Sequence, residues 1–557
     1  MWRIQFIFVL FLVQVCLIVV RLFYLQVLKQ DYFRTKATAQ HYHEFTIPAV
    51  RGSIVTVDGS PLVMNRPAYL VYAEPQKIAD LAQFIHDVSE DLNMDTASLS
   101  ALFYDKSRVW IPLKHKVDAE TVEKLKKRVS DGLGFEKEPD RYYPEASMAA
   151  HVVGFVASDE NGQPKGYFGL EGFYDKELRG KDGILRQEKD VRGAPIVIGS
   201  VNRVDAVDGY TVGLHLDRVI QRLAEKYLKN GLEKYGARAG TVTVMEPFSG
   251  GIIAMASLPN YHPNDFSQFD RELYKNPVVS STYEPGSTFK VLVMAAGIDS
   301  GAITAETLMQ EQGPIVIGEY RIRTWNDQYS GTISMTDVIV RSSNVGMVFV
   351  GNRLGTERLL TAVKSFGFGE TAGIDLEEES APVLRPADQW QLIDYATLTF
   401  GQGIAVTPVQ MIRAVAAIAN GGFLVQPQLT RTVSDSFGQI IRETAPKRKR
   451  IISEKTAAVI TEMMIQAVDR GEAKWAKPKG YRIAGKTGTA QIPVAGHYDS
   501  EKTIASFVGF APADNPKFVM LVTLTEPTTS PWGSETAAPL FFSLARELLT
   551  YYGINPQ

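Results

Sequence analysis

At 557 residues the chain is long enough for more than one domain and a large core, and 45% hydrophobic with 22% charged residues is the make-up of an ordinary folded protein. A net charge of -3 excludes a general nucleic-acid binder. The single cysteine, Cys16, excludes an internal disulfide, and eight scattered histidines with no H-E-x-x-H and no Cys/His zinc spacing offer no metal site.

Ile4 to Val20 is a charge-free apolar run, extended by Leu22 to Leu25 and bracketed by Arg3 and Arg21. No small-x-small cleavage pattern follows it, so residues 1–28 predict an uncleaved membrane anchor with Trp2 and Tyr24 at the interfaces. Arg3 against Lys29, Arg34 and Lys36 leaves its orientation open. Residues 29–205 form a second block. It starts as a polar, aromatic helical stalk over 30–50, followed by two short strands around Asp58-Gly59. Leu81, Phe84, Ile85, Val88 and Leu92 have helical spacing, as do Val122, Leu125 and Val129 after the capping candidate Asp118. From Leu133 to Asp205 glycines and turn residues predict short strands. No catalytic constellation stands out, so the block reads as a support or interaction domain.

Residues 206–557 form the third block. Leu214 to Tyr235 is expected to be helical, followed by a hairpin of 241–245 and 252–255 around Phe248 to Gly251. Helices are expected from Phe289 to about Val468. Strands return at 482–492, 504–510 and 518–524, before a final helix from about Thr536 to Tyr552. The basic run Lys447 to Arg450 reads as a solvated turn. Short turns between neighbouring strands make an antiparallel sheet covered by helices, an α+β arrangement.

Chemistry concentrates at three places in this block. Ser287 and Lys290 in Y-E-P-G-S-T-F-K (283–290) open a predicted helix over 287–300, with Phe289, Leu292, Val293 and Ala296 as its apolar stripe. Three residues apart on a helix, they share a face. A serine needs a base to become a nucleophile, and a lysine serves only if burial or a second cation lowers its pKa. Ser342 and Asn344 in R-S-S-N (341–344) set a hydroxyl and a carboxamide two residues apart. Lys486, Thr487, Gly488 and Thr489 put a cation, two hydroxyls and a side-chain-free position on a predicted exposed strand, where Gly488 lets a substrate backbone approach. S-x-x-K and S-x-N alone are common, and K-T-G is rarer. Their order, S-x-x-K then S-x-N then K-T-G, is the penicillin-binding and β-lactamase signature. A rival reading comes from Gly480 to Thr487, which spells the phosphate loop G-x-x-x-x-G-K-T. That motif needs a buried strand before it and a helix after it, and here a polar, proline-broken stretch precedes and a strand follows.

On these residues the chain resembles class B penicillin-binding proteins, and the forms S-S-N and K-T-G-T-A are most like the division-specific septal type. The resemblance covers nearly the whole chain. It implies a penicillin-binding/β-lactamase-like transpeptidase domain on an elongated pedestal or dimerisation-type domain, with one N-terminal transmembrane helix in the bacterial cytoplasmic membrane and the catalytic domain outside. It implies peptidoglycan stem peptides as substrate, β-lactams as inhibitors, no cofactor, and a SEDS-type glycosyltransferase as membrane partner. In the mechanism so implied, Ser287 is the nucleophile, Lys290 its base, and Lys486 a charge that keeps Lys290 neutral. Ser342 relays the proton, Asn344 orients Lys290 or the substrate amide, Thr487 and Thr489 hold the substrate carboxylate, and the N–H groups of Ser287 and Thr489 face the oxyanion. Alternatives are an elongation-type transpeptidase and a β-lactam sensor or inactive scaffold. Ser343 departs from S-D-N, which speaks against a class A β-lactamase.

Overall fold

In the computed structural model, which describes residues 1–105, 108–129, 131–188, 201–494 and 497–556, the chain divides into two units. One is Met1–Arg51 with Arg179–Gly209, and the other is Gly52–Leu178 with Tyr210–Gln557.

The first unit carries the apolar helix, Trp2–Phe23, continued by a π-helical turn over Tyr24–Leu28. None of it is buried, and a mean hydropathy of 2.8 over its apolar window makes it long and apolar enough to cross a membrane. The expected stalk is helical from Gln30 to His41 only. The chain then enters a strand, Tyr42–Ile47, which pairs antiparallel with Gly183–Glu188, and that strand pairs with Val201–Val204.

In the second unit, Ile54–Val55 and Pro61–Ala73 are the two strands around Asp58-Gly59. The second is far longer than expected, because Leu133–Tyr142 pairs along it from Met64 to Ala73. The region after Leu133 therefore opens on a long strand. Its exposed Glu136 and Lys137 hide the alternation that marks a half-buried strand. Helices Leu81–Leu92 and Ala119–Arg128, capped by Asp80 and Asp118, press Phe84, Val88, Val122 and Leu125 onto Val71 and Leu113. Ile54–Val55 also pairs in parallel with Thr211–Leu214, which pairs antiparallel with Thr430–Ser434. One seven-stranded sheet thus draws strands from both sides of residue 206. Leu214 ends a strand, and the helix expected to include it begins at Arg218, where the Asp217 carboxylate accepts the N–H groups of Val219 and Ile220.

Five antiparallel strands organise the rest: β1 (Ala239–Met245), β2 (Ile252–Leu258), β3 (Ala484–Val494), β4 (His497–Ala511) and β5 (Phe518–Thr525), in the order β2-β1-β5-β4-β3. Central β5 is buried on both faces. Val519 and Leu521 enter one core, Phe518, Met520, Val522 and Leu524 the other, so its sequence is a continuous apolar run. Each such side chain contributes about 1.5–3 kcal/mol by leaving water. Helices α1 (Arg218–Tyr235) and α5 (Ala537–Tyr551) cover the second face. A helical lobe covers the first, including α2 (Lys290–Asp299), α3 (Asn344–Leu354) and α4 (Glu454–Arg470). The basic run expected as a turn is a strand from Arg448 to Arg450, paired with Phe423–Val425. Its residues are exposed, and Arg448 and Arg450 lie over the Phe423 ring at 5.0 and 4.1 Å.

Candidate active site

The nucleophile candidate stands one turn earlier than an α-helix would put it. Gly286–Phe289 is a 3-10 turn, and α2 begins at Lys290. Residues i and i+3 eclipse in a 3-10 turn, so Ser287 and Lys290 still share a face. The turn is wedged between close backbones. Gly286 has φ +54, and a Cβ there would meet Thr489 O at 2.8 Å. Gly401, φ +78, lies so close that its own Cβ would meet Gly286 O at 2.3 Å, and its carbonyl accepts the Gly286 N–H at 3.0 Å. Gly488 is small for a similar reason. A Cβ on it would strike Ser506 Oγ at 2.4 Å and Thr288 Cγ2 at 2.8 Å. Gly488 thus lets the Ser287 turn pack closely on β3, and it also lines the same slot as Ser287.

No apolar stripe distinguishes α2, because Lys290 to Gly297 are buried on every side. Lys290 itself is 0% exposed. Its Nζ donates to Ser342 O at 2.6 Å and Asn344 Oδ1 at 2.7 Å, and lies 3.2 Å from Ser342 Oγ. Burial pushes its pKa well below the usual lysine value, the charge of Lys486 pushes it further the same way, and Glu472 opposes both. A neutral amine has two N–H donors and one lone pair. The two carbonyl oxygens take the donors, which leaves the lone pair for a hydroxyl proton. Ser342 reaches this amine because its backbone is left-handed, φ +57, an uncommon state for a residue other than glycine. Asn344 is fixed from the other side, donating to Arg323 O at 3.0 Å.

Lys486 was expected on an exposed strand. Its strand is the sheet edge, but the side chain is 3% exposed and curls back to within 3.1 Å of Thr487 Oγ1. Burial lowers its pKa to about 8, against the pull of Glu472. At neutral pH it remains mostly the charged member of the pair. Thr489 Oγ1 accepts the N–H of Gly533 at 3.0 Å.

A slot of about 90 Å³ brings Ser287, Ser342, Asn344, Thr487, Gly488 and Thr489 together, with both lysines buried behind its walls. Its remaining lining includes Trp325, Gln402, Glu472 and Trp532. Trp325 and Trp532 stand edge-to-face at 5.5 Å. Sequence reasoning missed these four. The doubled glycine of Phe400-Gly401-Gln402-Gly403, both at positive φ, was a legible sign of a special turn. Nothing in the sequence distinguishes Glu472 from other surface glutamates. The phosphate-loop rival does not form: Gly485 to Thr487 lie within β3, and no helix opens at Lys486.

Residues 240–546 match the penicillin binding protein transpeptidase domain, and residues 46–214 the penicillin-binding protein dimerisation domain. Stage V sporulation protein D of Bacillus subtilis is 32% identical over 91% of this chain and 79% of its own length. Peptidoglycan D,D-transpeptidase FtsI of Escherichia coli is 28% identical over 100% of this chain and 92% of its own. A crystal structure of penicillin binding protein 3 from Mycobacterium tuberculosis, complexed with aztreonam, superposes with a TM-score of 0.71 at 28% identity, covering 92% of this chain and 98% of that one. A transpeptidase domain that follows a dimerisation domain, with a buried Ser–Lys slot at the edge of an antiparallel sheet, defines the class. The chain belongs to the class B penicillin-binding proteins.

Proposed function

We propose that this chain is a peptidoglycan D,D-transpeptidase of the septal type, held in the bacterial cytoplasmic membrane by Trp2–Leu28 with its catalytic domain outside and a SEDS-type glycosyltransferase beside it. The observation that carries the enzymatic reading is the buried Lys290 amine, whose donors go to Ser342 O and Asn344 Oδ1 and which lies 3.2 Å from the Ser342 hydroxyl. Lys290 takes the Ser287 proton. Ser287 Oγ attacks the carbonyl between the two terminal D-Ala residues of a stem peptide. The Oγ–C bond forms, the C–N bond breaks, and D-Ala leaves after Ser342 passes a proton to its nitrogen. Thr487 and Thr489 hold the terminal carboxylate near Lys486, and the N–H groups of Ser287 and Thr489 receive the oxyanion. An amine of a neighbouring stem peptide then forms the new C–N bond and releases Ser287. The septal assignment rests on S-S-N and K-T-G-T-A.

The test is labelling with a fluorescent penicillin followed by peptide mapping. A label on Ser287, abolished in Ser287→Ala, is expected. A label elsewhere, or undiminished labelling of the variant, removes the proposal.

A further inference from the structure

Ser343, the residue that departs from S-D-N, has no task in the mechanism above. It is 1% exposed and caps α3, its Oγ accepting the Gly346 N–H at 2.8 Å. The same hydroxyl donates to the carboxylate of Glu311. Glu311 comes from elsewhere in the chain. It ends the strand Leu308–Glu311, which pairs with Gly331–Ser334, and it is 2% exposed. Its other oxygen accepts the Ser330 N–H at 3.1 Å, and Ser330 Oγ accepts from the Arg341 guanidinium at 3.0 Å. This hairpin therefore grips the chain on both sides of Ser342, at Arg341 and at Ser343. Between the two grips Ser342 takes its left-handed backbone and turns both carbonyl and hydroxyl toward Lys290. A strained conformation persists only where its surroundings hold it. A buried carboxylate is costly unless donors meet it, and here two do.

We infer that Glu311 is a positioning residue for acyl transfer, supplying to the S-S-N motif from a neighbouring hairpin the carboxylate that S-D-N carries at its own centre. The inference rests on the transpeptidase reading. It makes the two positions exchangeable as a pair and not singly. Ser343→Asp alone sets two carboxylates against each other in a buried site, and one of them must take a proton. Glu311→Asn alone removes the charge and shortens the reach to Ser343. Together they restore one carboxylate, with one side chain a bond shorter and the other a bond longer, and an aspartate caps a helix as well as a serine.

The experiment is a double-mutant cycle on the full chain, with penicillin affinity before acylation and the acylation rate constant measured separately and thermal unfolding alongside. Each single variant is expected to lose about tenfold or more in the rate constant with little change in affinity, and the pair to return to within about threefold of wild type, a coupling in the range seen for contacting residues. Wild-type acylation by Glu311→Asn, or a pair whose loss is the product of the two singles, overturns the inference. Should a single variant fail to fold, the pair decides: folded and slow overturns it, folded and fast supports it. Additive losses with wild-type labelling intact at Ser287 sink only this inference, whereas no label at Ser287 sinks the transpeptidase reading itself.

Discussion

Replacing Lys486 with methionine should make the protein more stable and less active at neutral pH. Burial holds the Lys486 ammonium at a pKa of about 8, against the ordinary 10.5. Because the folded-state pKa is the lower one, the unfolded chain binds more protons between these values, and stability rises with pH across that window. Below pH 8 the folded protein bears the full penalty of a buried charge, about 3 kcal/mol for the shift. Methionine has nearly the same length and no charge, so the variant escapes that penalty. Its stability advantage over wild type should therefore shrink by about 3 kcal/mol between pH 7.5 and 10.5, read from urea titrations of tryptophan fluorescence. Activity moves the other way. Lys290 loses the cation that helps hold it neutral, so the acid limb of penicillin acylation should shift to higher pH. A stability difference that stays constant with pH, or an acid limb that does not move, would refute the electrostatic coupling of the two lysines.

Lys290→Arg keeps a charge and removes the base, since a guanidinium stays protonated; penicillin acylation should fall by at least about a hundredfold in a stopped-flow assay, the usual scale for lost general-base help. Gly488→Ala drives a methyl into Ser506 Oγ and Thr288 Cγ2; overpacking of this kind costs about 1–3 kcal/mol, and both the thermal midpoint and acylation should drop.

Much of the fold was legible because its elements carry local signals. Asp80 and Asp118 cap the helices expected after them, and Phe518 to Leu524 announces a doubly buried strand. What escaped is set by distant partners. Thr211–Leu214 is four residues long and is a strand because Ile54–Val55 and Thr430–Ser434 flank it; read alone, Leu214 fits the helix that follows. Leu133–Tyr142 owes its length to a neighbour sixty or more residues upstream. The slot divides the same way. Ser287, Lys290, Ser342 and Lys486 stand in short motifs whose chemistry is visible as spacing. Trp325, Gln402, Glu472 and Trp532 reach the slot from separate loops, and no local pattern encodes that arrival.

Glu472 bears on whether this enzyme transfers or hydrolyses. Class A β-lactamases remove the acyl group with water activated by a glutamate. Glu284, Glu370 and Glu377 to Glu379 do not line the slot, and Glu284 accepts the N–H of Gly403 at 3.0 Å. Glu472 does line the slot. It acts on Lys290 and Lys486, opposing the burial that lowers the pKa of both, which ties it to acylation. Glu472→Gln should lower both lysine pKa values and move the acid limb of acylation to lower pH, opposite to Lys486→Met. The β-lactam adduct on Ser287 should outlast many turnover times in wild type and variant alike, followed by intact mass after free drug is removed. A wild-type adduct lost within seconds and preserved in Glu472→Gln would make Glu472 a deacylating base and the enzyme a hydrolase.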